Sequence, residues 1–282
     1  MIAVIDYQKG NLKSVERGLI AAGGEALITA DASEIAKADA IVLPGVGAFA
    51  DAAAAMCELG QMEAIRDRVR AGVPFLGICL GEHLMFEHGV EGAPEGNPAC
   101  GLGLLPGTVV AMPRYDAQGK TFKVPHVGWN TIEMPACNGG ATVPLCGEGG
   151  GNAALSSGGA GGGAARSSAA KRGLFEHGAF PGSTPQPGGE FAFPDSTPQP
   201  GSNLAFACPL FDGIAPGEYF YFTHSYIAPT GSHTIAETTH SVRFTSAVQF
   251  GECAFGVQFH PEKSSDAGAR VLANFVAIAA RG

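Results

Sequence analysis

The chain has 282 residues, of which 45% are hydrophobic and 15% charged, and its formal net charge at pH 7 is −9. This composition is sufficient for a sizeable folded core, and the acidic balance argues against a nucleic-acid partner, which usually requires a basic face. Seven cysteines without a CxxC pair favour a reducing compartment. The start, MIAVIDYQKG, lacks the pattern of a signal peptide, and no apolar run reaches membrane-spanning length. We therefore predict a cytoplasmic protein without a membrane segment.

The first part of the chain alternates short apolar runs with helical patterns. Asn11 is expected to cap the first helix, and Pro44 is expected to break the third strand. Apolar strands that alternate with helices predict an α/β fold of flavodoxin-like type, with a mostly parallel central sheet and helices on both faces. The predicted strands are 1–6, 25–30, 38–45 and 73–78, and the predicted helices are 12–24, 51–60 and 62–72.

The later part of the chain has a different character. Beyond Gly101 the patterns predict β-rich additions and a closing helix over 266–282. Residues 137–207 are dominated by Gly, Ser, Ala and Pro and contain two similar segments, FPGSTPQPGGEFA and FPDSTPQPGSNLA. Such a composition buries too little apolar surface to offset the entropy of ordering. We predict a single domain formed by 1–136 and 208–282, interrupted by a flexible insertion, with a docking segment as the alternative reading of the insertion.

The segment FLGICLGEHLMF places Cys79 between two glycines, after a strand and before a helical pattern. This order is typical of a nucleophile elbow, in which Gly77 and Gly81 avoid collisions at a sharp turn. A thiol at the start of a helix is favoured as thiolate. The alternative is a small buried hydrophobic residue.

A partner base is predicted near the end of the chain, in GVQFHPEKS. His260 follows an apolar run, and Glu262 lies two residues later, so in an extended chain both side chains would point to one side. Pro261 is expected to hold that extended conformation. The glutamate would then fix the imidazole tautomer, as the third member of a triad does.

A glycine-containing loop follows the third strand, in IVLPGVGAF. Glycines let backbone N–H groups approach a ligand, so Gly45 and Val46, together with the N–H of Leu80, are expected to form an oxyanion hole. Taken alone, such a loop is more often an ordinary tight turn between a strand and a helix.

Together these three elements resemble the class I, triad-type glutamine amidotransferases. Within that class, DYQKGNLKSV, LPGVGAFADA, VPHVGWN, YFTHSY and FHPEKSS are most similar to the glutaminase subunits of imidazole glycerol phosphate synthases. The resemblance implies that Cys79 is the nucleophile, His260 the base and acid, and Glu262 the orienting group. It further implies substrate contacts at Glu91, Ser225 and Tyr226, and contacts with a partner subunit at Asn11, Trp129, Asn130, Tyr221 and Lys263.

The resemblance also implies the reaction. Glutamine would be hydrolysed through a γ-glutamyl thioester, and the ammonia would pass to a (β/α)8 cyclase subunit, which converts PRFAR to imidazole glycerol phosphate and AICAR. No metal and no organic cofactor is implied, and the chain shows no cluster at metal-ligand spacing.

Two positions depart from the family pattern. The family reads Gly-Met-Gln where this chain has Gly81, Glu82 and His83, so His83 is expected at a substrate-facing position. Glu82 is expected to place a negative charge near the thiol. The second departure is Gln8, where the family prefers glycine.

Three alternatives stay open from the sequence. The chain could be the glutaminase of another class I amidotransferase, such as the anthranilate or carbamoyl phosphate type, although those lack PHVGWN. It could be a subunit with impaired catalysis that stabilises its partner, as the Glu82-His83 departure suggests. The third alternative is a cysteine peptidase of similar fold.

Overall fold

The computed structural model describes residues 1–8, 10–135 and 206–281. The predicted insertion 137–207 lies outside the described residues except for its last two positions. One of these, Phe206, is buried against Phe211, with ring centroids 4.8 Å apart. The division into one domain and an inserted segment stays a prediction.

The described chain contains thirteen strands and six α-helices. Two 3-10 turns, Pro209–Phe211 and Pro261–Lys263, complete the regular structure. The helices are α1 Leu12–Ala21, α2 Ala32–Ile35, α3 Phe49–Glu58, α4 Gln61–Arg70, α5 Leu80–His83 and α6 Ser265–Ala279. The strands are β1 Ile2–Ile5, β2 Ala26–Thr29, β3 Ala40–Gly45, β4 Phe75–Cys79, β5 Phe86–Gly89, β6 Ala99–Cys100, β7 Leu105–Ala111, β8 His126–Thr131, β9 Tyr219–His224, β10 Tyr226–Ile227, β11 Thr234–Thr239, β12 Arg243–Phe250 and β13 Ala254–Val257.

A seven-stranded sheet forms the centre, in the order β11-β12-β13-β4-β3-β1-β2. The strands from β13 to β2 are parallel, and β12 and β11 extend the sheet in antiparallel pairing. A four-stranded sheet, β10-β7-β5-β6, and the ribbon β8-β9 are the β-rich additions. The predicted α/β architecture with a mostly parallel sheet is confirmed.

Two hydrophobic cores lie on opposite faces of the central sheet. Successive residues of β1 alternate between them: Ile2 and Val4 belong to one core, and Ala3 and Ile5 to the other. Helices α1 and α6 cover the first core, and α2, α3 and α4 cover the second. Because a strand residue points to one face or the other, near-continuous apolar runs predict such two-sided burial.

The prediction that Pro44 breaks the third strand is wrong. β3 continues through Pro44 to Gly45, and both residues pair with β4, opposite Ile78 and Cys79. On its other side β3 pairs with β1 only as far as Val42. Pro44 therefore lies where that side of the strand carries no ladder, a position in which the missing N–H is tolerated.

The prediction that Asn11 caps the first helix is also wrong. Asn11 precedes α1, and its carbonyl oxygen accepts from Ser14 and Val15, but its side chain makes no capping bond. A helix follows Cys79 as predicted, but it is a single turn, α5, which leads directly towards β5. Leu84, Met85 and Phe86, which follow α5, are fully buried.

None of the helices in the described ranges is both long enough and apolar enough to cross a membrane.

The turn Pro261–Lys263 is held by close packing against α6. A Cβ on Gly268 would overlap the carbonyl oxygen of Pro261, which is part of the backbone. At Gly18 in α1 a Cβ would instead meet the end of the Leu272 side chain, at 2.6 Å. The glycine at 268 thus sets the distance between α6 and the turn.

Gly268→Ala is expected to lower the free energy of unfolding by about 2 kcal/mol, because the backbone of the turn must move. Gly18→Ala, the matched helical control, should stay within about 1 kcal/mol of the wild type, since a leucine rotamer can adjust and alanine favours the helix. Urea unfolding followed by circular dichroism measures both. Equal effects of the two substitutions would contradict this packing argument.

Candidate active site

Cys79 ends β4 at the carboxyl edge of the parallel sheet and begins the turn into α5. Its backbone has φ 55° and ψ −108°, a left-handed conformation that is unusual for a residue with a side chain. The predicted elbow is therefore present, although the helix behind it is one turn long.

The two glycines beside Cys79 allow the chain to reverse against its neighbours. A Cβ on Gly77 would contact the Gly81 backbone at 2.5 Å, and one on Gly81 would overlap the carbonyl oxygen of Leu43. Neither position can accommodate a residue larger than glycine, because the obstructing atoms belong to the backbone and cannot rotate away as a side chain can. The sharp turn at Cys79 depends on this close approach.

His260 and Glu262 meet as predicted, but not through an extended chain. Glu262 lies in the 3-10 turn that begins at Pro261, and its Oε1 is 2.9 Å from Nδ1 of His260. Proline is favoured at the first position of such a turn, because its fixed φ suits helical geometry. The turn, rather than strand alternation, brings the carboxylate back to the imidazole.

The electrostatic environment of His260 favours its charged form. Burial by itself lowers the pKa of this ring, but interactions with Cys79 and with the Glu262 carboxylate outweigh burial and raise the pKa to about 9. Nδ1 is occupied by Glu262, so the buried Nε2 is the nitrogen free to exchange a proton with the thiol. This is the arrangement of a base beside a cysteine nucleophile.

A cavity of about 470 Å³ opens over Cys79. Nine of the predicted site residues line it: Val46, Cys79, Leu80, His83, Glu91, Ser225, Tyr226, His260 and Lys263. Gly45 lies directly opposite Cys79 in the β3–β4 ladder, and Glu262 lies behind His260. Predicted site residues from five separated segments of the chain therefore meet at one edge of the sheet.

The predicted oxyanion loop is held by a residue that sequence reasoning missed. The N–H of Val46 donates to the hydroxyl of Tyr7, at 3.2 Å. Tyr7 is fully buried, and burial raises the pKa of its phenol well above its usual range, so the hydroxyl stays neutral. In this conformation the Val46 N–H donates to Tyr7 and is not available to hydrogen-bond a ligand in the cavity.

Glu91 is the half-buried carboxylate of the cavity. Burial raises its pKa, a hydrogen bond from the Phe49 N–H lowers it, and the Asp51 charge raises it again, with a net upward shift. Ser225 and Tyr226 line the same cavity, between the end of β9 and the start of β10. The cavity thus has an acidic group that could bind the amino group of a ligand.

Glu82 and His83, which stand where the family has Met-Gln, are both buried. His83 lines the cavity, and its Nε2 is 2.6 Å from Oε1 of Gln258. Burial lowers the pKa of His83 to about 4, against the raising effect of that hydrogen bond. Burial also raises the pKa of Glu82 well above its usual value, which favours a neutral carboxylic acid. The expectation that Glu82 brings a negative charge to the thiol is therefore wrong, and its 3.6 Å approach to His83 is not an ion pair.

A chain of hydrogen bonds joins the ribbon β8-β9 to the cavity wall. The Asn130 amide donates to His126 Nε2 at 3.3 Å, and His126 Nδ1 donates to His224 Nε2 at 3.0 Å. His224 Nδ1 in turn donates to the Tyr226 carbonyl oxygen at 2.8 Å. One set of neutral tautomers satisfies all three contacts. Burial lowers the pKa of His126 to about 4 and of His224 to about 3, which keeps both rings uncharged.

Three of the predicted partner contacts form one continuous surface. Trp129 is 44% exposed and pairs with Tyr221 across the ribbon, with ring centroids 6.0 Å apart. The Lys263 ammonium lies 6.0 Å from the Tyr221 ring centroid. A tryptophan with this exposure is not part of either hydrophobic core. Asn11 stands at the start of α1, and the Asn130 side chain is engaged internally with His126 and Thr239.

Sequence reasoning missed three contacts of the site: Tyr7, Thr223 and Gln258. Thr223 places its carbonyl oxygen 3.9 Å from Cys79 Sγ, and Gln258 places its amide nitrogen 3.7 Å from the same atom. Gln258 left a usable signal, because it is a polar residue within the apolar run AFGVQF, two positions before His260. Tyr7 and Thr223 left no such signal in the sequence. Tyr7 acts through a hydroxyl that is far from Val46 in the chain, and Thr223 acts through its backbone carbonyl.

Comparison with known proteins agrees with this geometry. Residues 3–137 match the family of class-I glutamine amidotransferases. The chain is 35% identical over 276 residues to the imidazole glycerol phosphate synthase subunit HisH of Moorella thermoacetica, which covers 97% of this chain and 93% of that protein. It is 31% identical to the HisH subunit of Syntrophotalea carbinolica, with 98% of each chain covered.

A solved structure supports the fold independently. The crystal structure of a glutamine amidotransferase matches 99% of this chain and 100% of its own, with a TM-score of 0.55 and 15% identity. At that identity the likeness concerns the fold alone.

The two neutral histidines of the ribbon predict a loss of stability in acid. In the unfolded chain the pKa of a histidine is about 6.5, whereas burial lowers the pKa of His126 to about 4 and that of His224 to about 3 in the folded chain. Between these values the unfolded state binds more protons, so the free energy of unfolding falls as pH falls. His224→Asn should reduce that slope by about 1 kcal/mol per pH unit, measured by urea unfolding at pH 7, 6 and 5. His88→Asn, outside the pair, is the control, and an equal slope in wild type and His224→Asn would contradict the burial argument.

Proposed function

The chain belongs to the family of imidazole glycerol phosphate synthase HisH subunits, within the class-I glutamine amidotransferases, and on this basis we propose that its cavity hydrolyses glutamine to glutamate and ammonia for histidine biosynthesis. The observation that carries the assignment of residues is the convergence of Cys79, His260 and Glu262 at the edge of the sheet. The chemistry proposed for these groups requires no cofactor.

The proposed reaction has two halves. Cys79 Sγ attacks the γ-carboxamide carbon, and the resulting tetrahedral intermediate collapses to a γ-glutamyl thioester as His260 Nε2 gives a proton to the departing ammonia. Water, deprotonated by the same nitrogen, then attacks the thioester and releases glutamate and the thiol. Glu262 holds the imidazole through Nδ1 and stabilises its charged form, which the raised pKa of His260 supports.

The substrate is placed by the polar groups of the cavity wall. We assign Glu91 to the α-amino group and the backbone of Ser225 and Tyr226 to the α-carboxylate, with His83 beside the bound amino acid. An acidic side chain in the cavity is consistent with the amino group of a free amino acid, and less so with the peptide chain that a cysteine peptidase would bind.

The oxyanion hole is assigned to Gly45, Val46 and Leu80. The N–H of Val46 donates to Tyr7 in the present conformation, so it must leave that partner before it can stabilise the intermediate. We therefore propose that the isolated subunit has low activity and that docking of the partner releases this loop.

The partner is proposed to be the (β/α)8 cyclase subunit, which would use the ammonia to form imidazole glycerol phosphate and AICAR from PRFAR. We assign the docking surface to exposed Trp129 and half-buried Tyr221, together with Asn11 and Asn130. Lys263 both lines the cavity and lies over the Tyr221 ring, so the surface reaches the mouth of the site. A cytoplasmic location remains part of the proposal.

Cys79→Ala tests the assignment directly. In the reconstituted complex with the cyclase, glutamine-dependent formation of imidazole glycerol phosphate should fall by about a thousandfold or more, because the thioester can no longer form. Ammonia-dependent synthesis should be retained, since the cyclase receives free ammonia. Cys100→Ala, at an exposed cysteine, is the control. Intact glutamine-dependent synthesis in Cys79→Ala would exclude the proposal, and absence of glutamate release by the wild-type complex would favour a catalytically impaired subunit.

Tyr7→Phe tests the restraint on the oxyanion loop. Removal of the hydroxyl deletes the acceptor of the Val46 N–H and should raise glutaminase activity without the cyclase by about three- to tenfold, the range expected for one hydrogen bond. Glutamate release by the isolated chain is the measurement, with the thermal midpoint recorded to show that the variant is folded. Unchanged or lower activity in a folded variant would show that Tyr7 does not restrain the loop.

A further inference from the structure

Gln258 lies buried beneath the proposed nucleophile, and the mechanism above assigns it no role. It follows β13, and its backbone N–H donates to the Ser246 carbonyl oxygen. Its side chain bridges two groups of the site. The amide nitrogen lies 3.7 Å from Cys79 Sγ, and the amide oxygen lies 2.6 Å from Nε2 of His83.

The contact with His83 determines which way this amide points. An amide oxygen only accepts hydrogen bonds, so Nε2 of His83 must donate to it. The Glu82 carboxyl is 3.6 Å from the same nitrogen, outside hydrogen-bond range, and does not compete. Reversal of the amide would set its NH2 group against the His83 N–H and its oxygen against the sulfur. The His83 hydrogen bond therefore holds the N–H side of the amide towards Cys79.

The direction of the amide affects the two protonation states of the sulfur differently. A thiolate accepts hydrogen bonds, so an amide N–H stabilises it, whereas the Thr223 carbonyl oxygen at 3.9 Å accepts only from the thiol. Gln258 thus favours the thiolate form of Cys79, as the imidazole of His260 does, whereas the Thr223 carbonyl favours the thiol.

We propose that Gln258 donates a hydrogen bond to the Cys79 thiolate and that His83 is the positioning residue that orients the Gln258 amide. This inference rests on the assignment of Cys79 as the nucleophile, and it gives His83 a task besides facing the substrate. Other ionisable groups around the sulfur, which must be unchanged in the test variants, are Tyr7, Glu82, Glu91, His224, His260, Glu262 and Lys263.

The test is the rate at which iodoacetamide alkylates Cys79 in the full-length chain between pH 5.5 and 9, read from the Cys79 peptide by mass spectrometry. Exposed Cys57 in the same sample is the internal reference for general reactivity. Gln258→Met keeps length and volume but removes the donor. It should slow Cys79 alkylation at pH 7 by about tenfold and move the half-maximal rate upward by about one pH unit.

Two further variants separate positioning from packing. His83→Leu should slow alkylation by about threefold, because the amide is no longer held, whereas His83→Gln retains an N–H donor and should stay near the wild-type rate. The double variant His83→Leu/Gln258→Met should be no slower than Gln258→Met alone, since His83 acts through Gln258. Gln249→Met, at a glutamine on β12 that bonds to Gly251, is the matched control.

An unchanged alkylation rate in folded Gln258→Met would overturn the proposal, and so would additive effects in the double variant. If Gln258→Met does not fold, Gln258→Leu replaces it: it also lacks the N–H donor and should slow alkylation at pH 7 by a similar factor, and an unchanged rate would again overturn the proposal. Glutamate release by the wild-type complex is measured separately. If the complex releases no glutamate, the proposed function is refuted. The difference in Cys79 alkylation rate between wild type and the Gln258 variants would still decide whether Gln258 interacts with the sulfur.

Discussion

The close backbone approach at the elbow is the constraint on which the site depends. Gly77 and Gly81 let the chain turn back within contact of Leu43, so Cys79 is held in a left-handed conformation at the carboxyl end of β4. β4 lies between β3 and β13 in the sheet. The loop of Gly45 and the turn of His260 therefore reach the sulfur from its two neighbouring strands, as expected where parallel strands end together.

Burial sorts the ionisable groups around this turn into two kinds. His260 has an acidic partner in Glu262 and a thiol beside it, so its charged form is favoured despite burial. His83, His126 and His224 have only neutral partners, and burial keeps them uncharged. The pair of His260 and Glu262 is itself buried, so its electrostatic interaction is less screened than in water.

The ribbon β8-β9 connects this interior to the surface. Its outward side carries Trp129 and Tyr221, and its inward side carries the histidine chain that ends on the Tyr226 carbonyl oxygen. Alternation along a strand makes this possible, because neighbouring residues face opposite sides. A partner that contacts the outer side therefore rests on the same two strands that shape the wall of the cavity.

Much of the fold and the chemical core of the site was predictable from local patterns. Apolar runs that alternate with helices indicated the parallel sheet, the glycines around Cys79 indicated the elbow, and His260 with Glu262 indicated the base and its orienting group. The details that depend on neighbours were not predictable: the course of β3 through Pro44, the single turn of α5, and the 3-10 turn that replaces the extended chain at Pro261. The sequence by itself determined which residues are candidates for the chemistry, because residue type and short-range spacing are local properties. Only the tertiary structure decided that Tyr7 holds Val46, that Gln258 joins His83 to the sulfur and that burial raises the pKa of Glu82, because these depend on burial and on contacts between segments far apart in the chain.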